Sequence, residues 1–505
     1  MIDAVLNNLR EYWMVHSLLA LYSVMLAHHA WTGNRSTKDL ADYYVGGRNM
    51  GGWVIGLSFF ATYASTNSFV GFSGRTYDWG LPWLLFIPTA VAFSLFAWIV
   101  VAPRLRSFTK EMDSLTLPDF IGFRFRSTPA RVMAALIVIA ASFFYMTAVF
   151  KGIGNLLETF LEIQYEVSII IVFFIVMTYT MVGGFISVVK TDSVQGVVMI
   201  IAALLLFWGT VSAAGGLGAI SEVRQQPGGE ALFTWGGGVA IPVLMGTMFA
   251  GLVKFAVEPR QLSRFFALEG ENATRTGMIV SSVTFGAVFT LLIPVGIYSR
   301  RTLPTGTHYT HLLLPTLLTE PEVFGAGTGA CLLVAMVAAA MSSLDSVLLV
   351  MASTTERDIV SIVRPDRSEA SEMFWTRGWV ALFALITAVI SLNPPAGVVE
   401  LTAFSGSLYG ACFFPAVVFG LHWRQGSGTA VIASFVVGIG VLLGWDLVPG
   451  SEVLHEVFPA MILSTLAFWA VSLGTEDSAN ETVLRLMDEE AGRSAGKTTP
   501  ATTTV

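Results

Sequence analysis

Apolar residues recur in blocks of about twenty along this chain, and polar residues are confined to the gaps between blocks. A helix rises about 1.5 Å per residue, so roughly twenty apolar residues cross the hydrocarbon core of a bilayer. On that measure about thirteen spans are predicted, at 13–31, 52–74, 81–102, 131–157, 166–189, 192–214, 236–257, 276–299, 323–353, 374–393, 398–422, 428–447 and 455–474. Lipid offers no partner to a backbone N–H or C=O, so segments of this length are read as helices and the fold class as all-α and polytopic. The stretches 103–130 and 300–322 have room for short surface helices. Past Gly474 the chain turns polar and ends in the Thr-rich Lys497–Val505, so 475–505 is expected to be a disordered tail.

Composition agrees with the pattern. The 505 residues are 54% hydrophobic and 12% charged, with a mean hydropathy of +0.69, whereas soluble chains carry about 25% charged residues. The net charge of -7 is scattered over loops and tail, and no basic face points to nucleic acid. Cys331 and Cys412 sit inside apolar runs, which argues against a disulfide framework, and the seven histidines form no metal-ligand or triad pattern. A membrane enzyme is therefore disfavoured. Asp3 and Glu11 near the start, with no small-residue cleavage site after the first apolar run, favour a retained first helix over a signal peptide.

Orientation follows from the basic residues. If the N-terminus is outside, the inward segments collect most of them, including Arg104, Arg106, Lys110, Arg124, Arg126, Arg260, Arg264 and Arg275. The outward segments keep Arg10, Arg75, Arg224, Arg300 and Arg301. On this reading the N-terminus is expected outside and the C-terminus in the cytoplasm. The polar tail is too short for an appended kinase, which weighs against a transporter-like sensor. No obligate protein partner is evident.

The informative positions are those where the apolar pattern fails. The second span carries Thr62-Tyr63-Ala64-Ser65-Thr66-Asn67 at its middle, too polar for a lipid-facing helix. Five spans later, the seventh has Gly246, Gly251 and Lys254 and then Glu258-Pro259. Interrupted helices at matching positions of two halves mark binding sites in inverted-repeat transporters, where unwound backbone is tolerated because it lines a cavity. The competing reading is that the Ser, Thr and Asn side chains simply bond helices together. In the ninth span, Ser342 and Ser343 offer two hydroxyls, with the carbonyl of Ala339 on the same side as Ser342. Neutral oxygens of this kind suit a weakly held monovalent cation, although each serine can also bond back to its own helix. Asp345 in the same span either holds a second ion, carries a proton or pairs with a basic residue. Asp192, at the start of the sixth span, suits a helix N-cap. Lys254 either neutralises a solute carboxylate, pairs with Asp345 or snorkels to the inner surface.

Taken in order, DYYVGGRNMGGW, TLPDFIGFRF, GGFISVVKTDSVQGVVM, EPRQLSRFFA and AAAMSSLDS resemble the sodium/solute symporter family over roughly Asp42 to Leu473. The resemblance implies a leucine-transporter-type 5+5 inverted repeat, with halves at about 52–214 and 236–422 and extra helices at 13–31, 428–447 and 455–474. It implies a Na+ site made by the carbonyls of Ala61, Ala64 and Ala339 and the hydroxyls of Ser342 and Ser343, with Asp192 near the ion's path. The stretch TYASTNSFVGFSGRTYDWGLPW is most similar to pantothenate and monocarboxylate-type members. Proline-type members carry an aspartate where this chain has Tyr63, which weakens a zwitterionic amino-acid solute. Sugar-type ligands are not found convincingly, and Lys254 and Asp345 match no family motif. The expectation is sodium-coupled symport of a small organic solute by alternating access. The solute is expected to touch Tyr63, Ser65, Thr66, Asn67, Lys254 and Phe404.

Overall fold

The computed structural model describes residue 8 and residues 10–303, 312–475 and 481–496. Asp3 and the Thr-rich end at 497–505 lie outside the described residues. Among the described residues every regular element is helical. The first helix, α1, runs Trp13–Ser36. The second span is two helices, α2 (Gly52–Tyr63) and α3 (Thr66–Trp79), separated at Ala64-Ser65. Then come α4 (Leu81–Glu111) and α5 (Thr128–Leu161). The 49 residues of α6, Tyr165–Ala213, would extend roughly 73 Å if straight, too long for one crossing. They divide at Gly184 (φ 60°, ψ -169°), where a side chain would meet the ring of Tyr43 at 2.6 Å. The sequence placed this junction near 190. The turn at Gly184 instead leaves Asp192 well inside the second arm, so it does not cap a helix.

The seventh span breaks twice, giving α7 (Ile241–Leu252), α8 (Lys254–Val257) and α9 (Pro259–Phe266). Glu258 is extended (ψ 126°), as the residue before a proline tends to be. The rest are α10 (Glu271–Leu292), α11 (Ala326–Thr355), α12 (Glu369–Leu392), α13 (Val398–Phe413), α14 (Gly428–Gly444) and α15 (Val457–Gly474). Among the described residues ten helices are long and apolar enough to cross a bilayer. Counting both arms of α6, adding α1 and taking α2–α3 as one broken crossing brings the total close to the thirteen expected.

At the centre lies α11, buried over almost its whole apolar length. It packs against α1, α2, α5, α6 and α12. Its run of small residues, AAAMSS, lets these backbones approach closely. On the periphery α14 and α15 pack on each other and on α13.

One expectation is corrected. The segment thought disordered holds a helix, α16 (Glu481–Gly496). Val483, Leu486 and Met487 recur at helical spacing and are buried. Arg485 reaches Glu111 at 2.6 Å, and Arg424 pairs with Asp488.

Candidate ion and solute site

A helix that stops at Tyr63 leaves its last carbonyls without the amide partners of a following turn. Ala64 still donates to Phe60 at 2.9 Å, but Ser65 turns back to the carbonyl of Tyr63 at 2.9 Å. The carbonyls of Ala61 and Thr62 are thereby released, and both turn to α11. Ser342 Oγ lies 2.9 Å from the Ala61 carbonyl and 3.0 Å from that of Ala339. Ser343 Oγ lies 3.2 Å from the Thr62 carbonyl. All of these residues are fully buried. Ala64, at the break itself (φ -71°, ψ 83°), is buried beside them, but the bridging hydrogen bonds fall on Ala61 and Thr62. Hydroxyl protons rotate freely, so the two serines can turn lone pairs toward a cation that draws on the same carbonyls.

One layer inward is a charged cluster. Asp192 Oδ2 accepts from Arg264 Nη2 at 2.6 Å, from Ser58 Oγ at 2.7 Å and from Thr62 Oγ1 at 3.2 Å. Arg264 also donates to Ser346 Oγ at 2.6 Å, tying α6, α2 and α11 together through α9. Asp192 Oδ1 has no partner. Sequence reasoning placed Arg264 in an inward loop. It is buried because Glu258-Pro259 turns α9 back under α2, a consequence of the second break that composition alone does not reveal.

Asp345 does not pair with Lys254. Its Oδ2 accepts from Tyr179 at 2.7 Å and its Oδ1 from Ser346 at 3.2 Å. Lys254 points the other way. Its Nζ donates to the Thr402 carbonyl at 3.1 Å and lies 4.7 Å from the centre of the Tyr145 ring. It does not snorkel to the surface either, being 1% exposed.

Lys254 instead faces a small cavity between the two broken helices. Tyr63, Ser65 and Asn67 line it with Lys254. Two of the expected contacts are not on its wall: Thr66 packs toward Gly152 of α5, and Phe404 sits edge-on to Phe144 with centroids 4.8 Å apart. The cavity also includes residues the sequence reading passed over: Arg75, Tyr145 and Arg260. Arg260 is bound to Glu258 at 2.6 Å, lies 4.0 Å from the Tyr145 ring centre, and donates to the Thr62 carbonyl at 2.7 Å. Gly406 of α13 makes this closeness possible. A Cβ there would sit 2.1 Å from the Ala250 carbonyl and 2.8 Å from Lys254 Cε.

The cluster is thus an uncharged oxygen cage beside a cationic cavity, both at the middle of two broken helices. A model of the sodium:solute symporter family matches residues 43–438. The sodium/pantothenate symporter of Haemophilus influenzae is 27% identical over 437 residues, covering 85% of this chain and 89% of its own. The osmoregulated proline transporter of Bacillus subtilis is 29% identical over 476 residues, covering 91% and 95%. Among solved structures, a Na+-coupled sialic acid symporter in a substrate-bound outward-open state superposes with a TM-score of 0.76 at 20% identity, covering 93% of this chain and 99% of that one. That likeness carries the fold, a leucine-transporter-type inverted repeat.

Proposed function

The chain belongs to the sodium:solute symporter family, and from that premise we propose that it carries a small organic carboxylate into a bacterial cell together with Na+. The observation that carries the choice of solute is Lys254. It is a buried cation on the cavity wall with no carboxylate partner among the described residues, and a charge in that position favours an anion that completes it. A zwitterionic solute would want an acid in the cavity wall. Glu258, the nearby acid, is engaged by Arg260. The relatives named for proline keep an amino-acid solute as the second reading.

In this reading Na+ is held by the carbonyls of Ala61, Ala64 and Ala339 and the hydroxyls of Ser342 and Ser343, with Asp192 and Asp345 near its path. Tyr63, Ser65, Asn67 and Lys254 contact the solute. The ion joins α2 to α11 and favours the state in which those helices meet, which is the differential affinity that coupling needs. Inward movement of one positive charge gains about 2.3 kcal/mol per 100 mV of membrane potential. The basic residues of the inward loops support an N-terminus outside and a C-terminus in the cytoplasm. The reading does not need Arg75, Arg260 and Arg264, which are buried rather than in loops.

Uptake of labelled carboxylates, amino acids and sugars into proteoliposomes, with an imposed Na+ gradient, tests the proposal. Sodium-dependent accumulation of a carboxylate that excess proline fails to compete away is the expected result. Proline accumulation without carboxylate uptake would overturn it.

A further inference from the structure

Arg75 is a buried cation to which the proposed reading gives no task. It lies on α3, ten residues beyond the break, and is 8% exposed. Its guanidinium stacks on Trp79, 4.1 Å from the ring centre, and approaches Trp83 at 5.4 Å. Its Nη1 has no hydrogen-bond partner, nor does the buried Nε1 of Trp83. Both residues line the same cavity as Lys254. The fields of Glu400 and Asp78 reach Arg75. Among the described residues that line the cavity there is no carboxylate. A buried guanidinium with an idle N–H is costly unless something completes it.

We infer that Arg75 and Trp83 form a second anion-binding point at the outer end of the cavity, so that the solute is a short dicarboxylate held between Arg75 and Lys254. This rests on the carboxylate reading above and narrows it. Lys254 Nζ donates to the carbonyl of Thr402, Val399 three residues away on α13 faces Gly71 of α3, and Arg75 is one turn beyond Gly71, so the two cations border one cavity from different helices. Phe72, Phe86 and Val399 give part of the wall an apolar surface for a carbon skeleton, beside the polar Ser65 and Asn67.

Binding of succinate, glutarate and adipate to the purified full-length chain in Na+ is compared with that of butyrate and of each diacid's monomethyl ester. The expected result is that the best diacid binds at least about tenfold more tightly than its own half-ester, since a charge-assisted bond is lost. Arg75→Gln should erase that ratio while leaving half-ester binding within about twofold, and Arg75→Lys should restore part of it. Equal binding of diacid and half-ester to the unmodified chain overturns the inference and leaves the carboxylate reading standing. So does a ratio that Arg75→Gln leaves unchanged. If no carboxylate binds in any form, both fall. Should Arg75→Gln fail to fold, the diacid-to-half-ester ratio of the unmodified chain decides alone.

Discussion

Ser342 and Ala61 stand 281 residues apart in the chain and 2.9 Å apart in space, the serine hydroxyl donating to the carbonyl freed by the break in α2. With Ser343 on the carbonyl of Thr62, this contact makes the junction between the broken helix and the buried centre of the protein. Ser342→Ala or Ser343→Ala removes one ligand from the proposed ion cage. Half-saturating Na+ for uptake should rise about tenfold, the equivalent of ~1.4 kcal/mol, with the protein still inserted. A sodium dependence identical to the parent chain's would put the ion elsewhere.

Lys254→Gln removes the charge and leaves a hydrogen-bonding amide one bond shorter than the lysine. If the cation completes a solute carboxylate, the KM for solute should rise at least tenfold, because a hydrogen bond to a charged group contributes about 1.5–3 kcal/mol. Half-saturating Na+ measured by equilibrium binding without solute should stay within twofold. A KM that does not move would remove Lys254 from the solute contacts.

Asp192 and Arg264 form an ion pair in which neither side chain is more than 1% exposed. Breaking such a pair from one side costs about 3–5 kcal/mol, because a lone charge stays buried. Asp192→Asn and Arg264→Gln should each lower thermal stability markedly, and the double variant should be more stable than the sum of the two losses predicts. Additive losses in thermal unfolding would mean that the pair is not acting as a unit.

Gly406→Val tests the seam between α13 and α7. A side chain there would have to displace the Ala250 carbonyl and Lys254 together. Uptake should fall at least tenfold while α2 and α11, and so sodium binding without solute, change by less than threefold, both rough limits from the cost of overpacking, ~1–3 kcal/mol. Full uptake by the valine variant would show that the seam opens freely.

Much of this was legible beforehand, for a physical reason. Thr62 to Asn67 are polar where lipid forbids polarity, and Ser342-Ser343 stand out within an alanine run, so local sequence alone marks both halves of the contact between α2 and α11 where the ion is proposed. The missed residues share the opposite property. Arg75, Arg260 and Arg264 follow apolar helices and look like loop charges, and only the packing of α3 and α9 into the interior shows otherwise. Tyr145 reads as one more aromatic in an apolar span until Lys254 and Arg260 are seen against its face. Asp192 resembled a helix cap because the chain's true reversal, at Gly184, is a backbone event with little side-chain signal. The tail helix α16 was overlooked because its apolar positions are few. They gain their worth only from the surface of α4 on which they rest.

The carbonyl of Thr62 has two lone pairs and two claimants, Ser343 from the ion cluster and Arg260 from the cavity wall. A cation that competes for this oxygen must loosen one of them. Were a cation bound by Ser343 to turn that hydroxyl away, the Thr62 carbonyl would be left to Arg260 and its companion Glu258, so occupancy of the proposed cage would be felt at the cavity wall.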